Sequence, residues 1–484
     1  MSPEHLVPVE FALQHDVGWG NSVFVQGDAA ELGGGDVTRA VKLYYTAGAV
    51  WRARIGVPPS ATLTYRYVNR ADSAAAVAQA TNGTPLTAYE TTTTPAHPSY
   101  MPSATKSLVY LTAWAQPSLE VESSPGVFTS YSLTAIGPGR VAGERRWLAS
   151  GFGVPGRAVR FRLTDGAGGY DYAPGGGLYE TCLDRALLQD GNLFNYEPAP
   201  AVSPSRKETI ANVVSPQGLA SRTLRIYLPR GYDQHTTRSY PVLYMHDGQN
   251  IFGTTGSGFP PVRWNVDGTL DRLISMGLAR ETIVVGIDNT PNRLAEYTPP
   301  GAPLGGLPGG QGDKYLAYVR DTVKPLIDAT YRTLPDAANT AVAGSSLGGL
   351  ISTYMGLEAP SVFGKVAAFS PAYWANASVV ARLTDTPVLP AWRHYFDSGN
   401  AGASDSSGSP DGYALTFDAR DRLLRRGQIL NRDVYHTVGY GQQHNESAWQ
   451  ARFPLCVRFL LPAEDEPSTV QVAPAASATD WMLH

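Results

Sequence analysis

The sequence predicts an α/β unit on a mostly parallel sheet, preceded by one or two small β-sandwich modules. Two observations carry this. After Pro200, strand-like runs alternate with helical ones, the pattern of a parallel sheet with helices on both faces. Before Pro200, the runs are short, rich in Val, Tyr and Thr, and separated by Gly, Pro and Asp, as in a sandwich. The 50 glycines and 37 prolines among 484 residues agree with many turns. Length alone sets a prior of about three domains. They are placed at 1–100, 101–200 and 201–464, with a loose Pro- and Ala-rich tail over 465–484.

The first part opens with VEFALQH (9–15), NSVFVQG (21–27), AVKLYY (40–45), VWRARI (50–55) and ATLTYRYV (61–68). None of these holds a helical period over three turns. An echo follows one small domain later. Trp51 opens W-R-A-R-I-G-V-P-P-S-A, followed by Tyr65-Arg66-Tyr67. Trp147 opens W-L-A-S-G-F-G-V-P-G-R-A, followed by Phe161-Arg162-Leu163. The echo supports two successive small β modules. The stretch from Asp72 to Thr105, rich in Ala, Thr and Pro, is expected to be a linker or long loops.

In the second part, LRIYLP (224–229) and PVLYMHDG (241–248) lead to a helical stretch near 267–278. ETIVVGID (281–288) leads, through a Gly/Pro loop, to a helix over 313–331. NTAVAGS (339–345) runs directly into SLGGLISTYMGLEAP. KVAAFSP (365–371) and WRHYFDSG (392–399) follow, then a helix around 414–426, the strand DVYHTV (433–438) and a last helix around 446–461.

Composition excludes several classes. The net charge of −4 argues against nucleic acid as a main partner, because a phosphate-binding surface needs a basic excess. Cys182 and Cys456 are too few for a disulfide scaffold or a cysteine-based zinc site; either one bridge or two buried thiols fits them. No paired-His metal motif, P-loop or dinucleotide fingerprint stands in the sequence, so no metal or organic cofactor is expected. No apolar run approaches the length of a membrane span. MSPEHLVPVE has neither the basic nor the apolar region of a signal peptide, which leaves a cytoplasmic protein or a secreted one without its leader.

Gly344-Ser345-Ser346-Leu347-Gly348 fits G-x-S-x-G between an apolar strand and a helix rich in small residues. A sharp strand–turn–helix bend needs small residues on both sides of the serine, and it lifts Ser346 above the sheet. A serine hydroxyl needs a base to attack at neutral pH. Of the later histidines, His394 and His436 lie in expected strands and His484 ends the chain. His444, in the polar turn VGYGQQHNESAW, is the expected base. The acid should follow the strand ending near Phe396. Asp405 is chosen, with Asp397 and Asp411 as alternatives. An oxyanion hole needs two backbone N–H donors. Leu347 supplies one, and Gln249 in His246-Asp247-Gly248-Gln249-Asn250 is expected to supply the other, unless DGQN is an ordinary turn. Tyr373 and Trp374, in AFSPAYW, are candidate substrate contacts.

Segment 205–462 resembles the esterase family that groups esterase D, enterochelin esterase, the antigen 85 mycolyltransferases, and feruloyl and acetyl-xylan esterases. The matching pieces are YPVLYMHDGQNIF, IVVGIDNTPNRLAEYTP, GSSLGGLIS, AFSPAYW and HNESAWQARFPLCVRFL. The resemblance implies an α/β-hydrolase fold and a Ser–acid–His triad, with Ser346 on the nucleophile and His444 on the histidine. It departs in the acid loop, where Gly399-Asn400 is followed only later by Asp405.

Segment 8–70 is similar to starch-binding modules, through VEFALQHDVGWGNSVFVQGDAAELGGGD, AVKLYY, VWRARIGVP and LTYRYV. Trp19 and Trp51 fall where such modules carry sugar-contact aromatics. Gly34-Gly35 replaces the tryptophan that usually follows the Leu-Gly turn. The module is expected either to bind α-glucan or to serve as a packing or lid domain. The expected activity is hydrolysis of a carboxylic ester, with feruloyl or acetyl esters of a polysaccharide as the leading substrate class. A siderophore or aryl ester is the alternative, and a non-catalytic glucan-binding protein is the rival of a different class.

Overall fold

An eight-stranded sheet organises the second half of the chain. Its strands are β1 (Arg206–Val213), β2 (Arg222–Leu228), β3 (Val242–His246), β4 (Ile283–Ile287), β5 (Thr340–Ser345), β6 (Lys365–Phe369), β7 (Arg393–Gly399) and β8 (Val434–Gly439). They lie in the order β1-β2-β4-β3-β5-β6-β7-β8. β1 and β2 are antiparallel additions at one edge; the other pairings are parallel. VLYMH, IVVGI, TAVAGS and KVAAF are buried throughout, as expected of strands covered on both faces. The sequence does not single out β1, because RKETIANV is an edge strand that buries only Val213. The computed structural model describes residues 6–17, 21–58, 62–71, 87–95, 105–154, 157–255, 261–301, 310–384, 392–402 and 410–463, together with 470–471 and 482–483.

Helices α1 (Val266–Ser275) and α4 (Glu446–Leu460) cover one face, where Leu270 and Leu273 join Trp449, Phe453 and Val457 over Leu243, Met245, Ala343 and Phe369. α2 (Leu347–Glu358), α3 (Tyr413–Arg425) and the helical run 312–330 cover the other. Among the described residues, no helix is long and apolar enough to cross a membrane.

The N-terminal sandwich has two sheets. One pairs Val50–Val57 with Val7–Gln14 and Tyr44–Thr46; the other runs Val41–Lys42, Asn21–Gly27, Thr62–Ala71, Thr87–Pro95. The last of these lies inside the stretch expected to be linker or loops, so part of Asp72–Thr105 is a sheet strand paired along Thr62–Ala71. Its Thr run suits a strand. The remainder of that stretch up to residue 104 lies outside the described residues, as does nearly all of the expected tail; Val470–Gln471 pairs with Met482–Leu483.

A second sandwich packs Thr134–Pro138, Arg145–Phe152, Lys106–Thr112, Arg185–Gln189 and Asn192–Phe194 against a sheet built on Ser118–Ser124, Val127–Ser132 and Val159–Thr164. The sequence echo has a structural counterpart here. In each sandwich the tryptophan strand lies in one sheet and the following Tyr/Phe-Arg strand in the other.

The N-terminal sandwich docks on the large unit through backbone bonds. Gly56 N–H donates to Leu430 O at 2.8 Å, and Leu430 N–H donates to Arg54 O at 3.0 Å. Tyr44–Thr46 covers only Val50–Arg52 on that side of the strand, so Leu430 continues where it stops. Arg420 adds a bond from Nη2 to Lys42 O at 3.2 Å. The cores of the two units merge into one apolar cluster.

Trp51 belongs to that core. It is only 8% exposed, its indole N–H donates to His15 O at 3.0 Å, and Tyr45 meets it edge-on. The sandwich has thus used the ring for packing, and the expected stacking face is not presented to a sugar. Trp51→Ala is expected to cost the N-terminal sandwich about 3–5 kcal/mol, the range for emptying a buried aromatic site. An earlier urea transition of that module checks this.

Candidate active site

Ser346 sits between β5 and α2 with φ 57° and ψ −122°. A non-glycine residue there is strained by about 1–3 kcal/mol and is held by its surroundings. Its N–H donates to Phe369 O at 3.0 Å, and its carbonyl accepts from Ala372 N–H at 2.9 Å. Gly344 is required at the bend, since a Cβ would come within 2.8 Å of the Gly348 carbonyl carbon. Ser346 itself is half-buried, whereas Ser345 is buried at the end of β5.

His444 lies on the turn after β8, with its side chain 44% exposed. Its Nδ1 is 2.5 Å from Asp411 Oδ1. The other oxygen of Asp411 accepts from Ser370 Oγ at 2.6 Å and from the Gly399 N–H. Burial opposes a charge on Asp411, but the bonds from His444, Ser370 and Gly399 outweigh it and hold the carboxyl below its usual range. An ionised carboxylate only accepts, so Nδ1 carries the ring proton and Nε2 is left as the basic nitrogen.

Ser346 and His444 are both fastened to the turn after β6. Phe369 and Ala372 bond the Ser346 backbone, while Ser370, between them, bonds Asp411. Trp449 donates from its indole to Ser370 Oγ at 3.0 Å and stands edge-on to the His444 ring, 5.0 Å between centroids. Arg452 donates to the same Ser370 oxygen at 3.0 Å. Ser370, Trp449 and Arg452 lie in segments that the sequence picks out only by resemblance. Nothing in their spacing marks a shared network.

Of the three acid candidates, Asp405 lies outside the described residues. Asp397 is fully buried on β7 and is taken by Arg452, Tyr395 and the Ser370 N–H. Burial raises its carboxyl despite the arginine. Asp411 carries the bond to His444. It stands just before α3 at φ 53°, and Gly412 rather than Asp411 occupies the N-cap position. The other strand histidines are structural in setting. His394 and His436 are held well below the ordinary imidazole range, by burial first and nearby cations second.

Gln249 lies on the 3-10 turn Gly248–Asn250, after Asp247 at φ 58°. Arg293 grips Asp247 with two bonds at 2.7 and 2.8 Å, and Asn289 adds a third at 2.6 Å. Gln249 is itself anchored: Oε1 accepts from Asn289 N–H, and its carbonyl accepts from Arg263. A Cβ on Gly348 would lie 3.5 Å from both Asp247 Oδ2 and His246 Cβ. The first turn of α2, with Leu347 on it, therefore packs beside the loop that carries Gln249.

Trp374 is 49% exposed on the short turn Tyr373–Ala375, close after Ala372. Tyr373 is fully buried and its hydroxyl meets Thr353 Oγ1 at 2.8 Å, so the expected substrate contact at Tyr373 is withdrawn into the core. Trp19 lies outside the described residues. Cys456 is buried and Cys182 half-buried, and no disulfide joins them.

The strand order, the serine on the bend after β5 and the histidine after β8 define an α/β-hydrolase. Residues 219–460, half of the chain, match the family described as putative esterase, and the chain belongs to that family. Residues 6–96 match the starch binding domain. An uncharacterised protein, YbbA, of Bacillus subtilis is 32% identical over 158 residues, covering 32% of this chain and 58% of the relative. An endo-1,4-beta-xylanase/feruloyl esterase of Xylanibacter ruminicola is 28% identical over 146 residues, covering 30% of this chain and 18% of the relative. The chain thus spans less than two thirds of either relative. A solved ferulic acid esterase is 20% identical, with 53% of this chain and 98% of that one covered and a TM-score of 0.42.

Proposed function

We propose that the chain hydrolyses carboxylic esters through an acyl-enzyme, with Ser346 as nucleophile, His444 as base and Asp411 as the acid that orients it. The observation that carries this is the His444–Asp411 bond, anchored to the same turn that holds the strained Ser346. Nε2 of His444 accepts the hydroxyl proton as Oγ attacks the ester carbonyl. The Leu347 and Gln249 amides stabilise the oxyanion. The imidazolium then protonates the departing alkoxide, and water repeats the sequence on the acyl-enzyme. The acid role moves from Asp405 to Asp411.

The substrate class favoured is a feruloyl or acetyl ester on a polysaccharide. The starch-binding match at the N-terminus and the name of the xylanase/feruloyl esterase relative support it. Trp374 supplies an aromatic surface near the serine. On the N-terminal module, Tyr45, 52% exposed, is an aromatic among the described residues that an α-glucan can meet, and Trp19 remains a candidate outside them. A fluorophosphonate probe tests the chemistry: label at Ser346, mapped by mass spectrometry, is the expected result, and an unlabelled protein overturns it. A hydrolysis screen on feruloyl, acetyl and longer acyl esters tests the substrate class.

A further inference from the structure

A cleft of about 620 Å³ lies between the N-terminal sandwich, the outer edge of β8 and the C-terminal end of α4, a size suited to a small ligand. Ser346, His444, Asp411 and Gln249 are not among the residues that line it. Its walls carry five cationic side chains, Arg39, Lys42, Arg70, Arg420 and Arg458, against the acidic Glu31 and Asp36. This excess is opposite in sign to the chain's net charge of −4.

The cations come from both units. Arg70 lies over the Phe24 ring, 3.8 Å from its centroid. The Phe417 ring is approached by Lys42 from the sandwich at 5.6 Å and by Arg420 of α3 at 4.7 Å. Arg420 is paired with Asp421, Arg458 is 3.5 Å from Glu180, and Arg70 donates from Nη1 to Val37 O at 2.9 Å, so part of this charge is already engaged. His436 is pushed well below the usual imidazole range by burial, and further by Arg420 and Lys42.

One wall of the remaining lining suits a sugar, and much of the rest is aliphatic. Residues 435–438 of β8 line the cleft in succession. An edge strand offers unpaired N–H and C=O groups along its outer side. Tyr440, 42% exposed, adds a ring that can face a pyranose. We propose that this cleft binds a saccharide bearing an oxyanion, a phosphate or a carboxylate, with the anion held on the Arg39, Lys42 and Arg70 side. The site is independent of the serine chemistry.

Titration calorimetry on the full chain tests it with glucose 6-phosphate, galacturonate, glucose and inorganic phosphate. The expected result is that at least one of the two anionic sugars binds at least tenfold more tightly than glucose or inorganic phosphate. That binding weakens as salt rises, since exposed charges are screened. The tighter of the two identifies the anion's source. Arg39→Glu with Lys42→Glu is expected to weaken it at least tenfold and to leave p-nitrophenyl acetate turnover unchanged. Should that pair fail to fold, Arg39→Ala, at an exposed position, carries the same direction of change. Equal binding of glucose and the anionic sugars, inorganic phosphate binding as well as either sugar, or variants that bind like the parent would each overturn the proposal.

Discussion

Ser346→Ala is expected to lower p-nitrophenyl acetate turnover by about 10³-fold or more while leaving the fold intact. Only the hydroxyl is removed. The backbone bonds to Phe369 and Ala372 that hold the bend do not involve it. What activity remains should reflect substrate binding and the oxyanion amides. Ser345→Ala is the control. Ser345 is buried at the end of β5 and should change turnover far less. A matching collapse in both variants, with both still folded by circular dichroism, would count against the assignment of the nucleophile.

Asp411→Asn is expected to lower turnover by about 10⁴-fold, as when a triad carboxylate is amidated. An amide can present its NH₂ to Nδ1, which then must accept, and the ring proton moves to Nε2. The base is lost although the distances are kept. KM should move little, since Asp411 is buried behind the histidine. Asp397→Asn is the discriminating comparison. It leaves Arg452 buried without its counter-charge, and breaking such a pair costs about 3–5 kcal/mol. Its loss should appear first in the unfolding midpoint. A near-normal rate in Asp411→Asn, with collapse in Asp405→Asn, would return the role to Asp405.

The serine and the histidine proposed for the site are legible in the sequence because local chemistry marks them. A bend that tight admits only small neighbours, and a polar turn between the last strand and last helix is where an imidazole can be offered. Asp411 was harder to read. In sequence it resembles a helix cap beside Gly412. Its actual partners, Ser370, Gly399 and His444, come from three separate strand ends, and no local pattern encodes that meeting. The resemblance to the family's acid loop favours Asp405 instead, a residue that lies outside the described ones. Trp51 illustrates the same limit. A tryptophan in a sandwich strand satisfies either a sugar or a core, and only the register of Val50–Val57 against its neighbours decides which. The edge strand β1 escaped because its charged residues face solvent, so no apolar alternation announces it.

The seam between Arg54, Gly56 and Leu430 has a consequence for biosynthesis. Strand Val50–Val57 leaves the ribosome long before residue 430 is made. At about 5–20 residues per second, the wait is on the order of tens of seconds. Through that interval the backbone edge that will receive Leu430 is open, a template for pairing with another nascent chain. Arg52 and Arg54, both exposed, place charge along that strand and discourage such a match. Arg54 at the finished seam and Arg52 beside it thus keep that edge from a wrong match, and Val50–Val57, already paired inside its sandwich, completes its outer edge only once Leu430 is made.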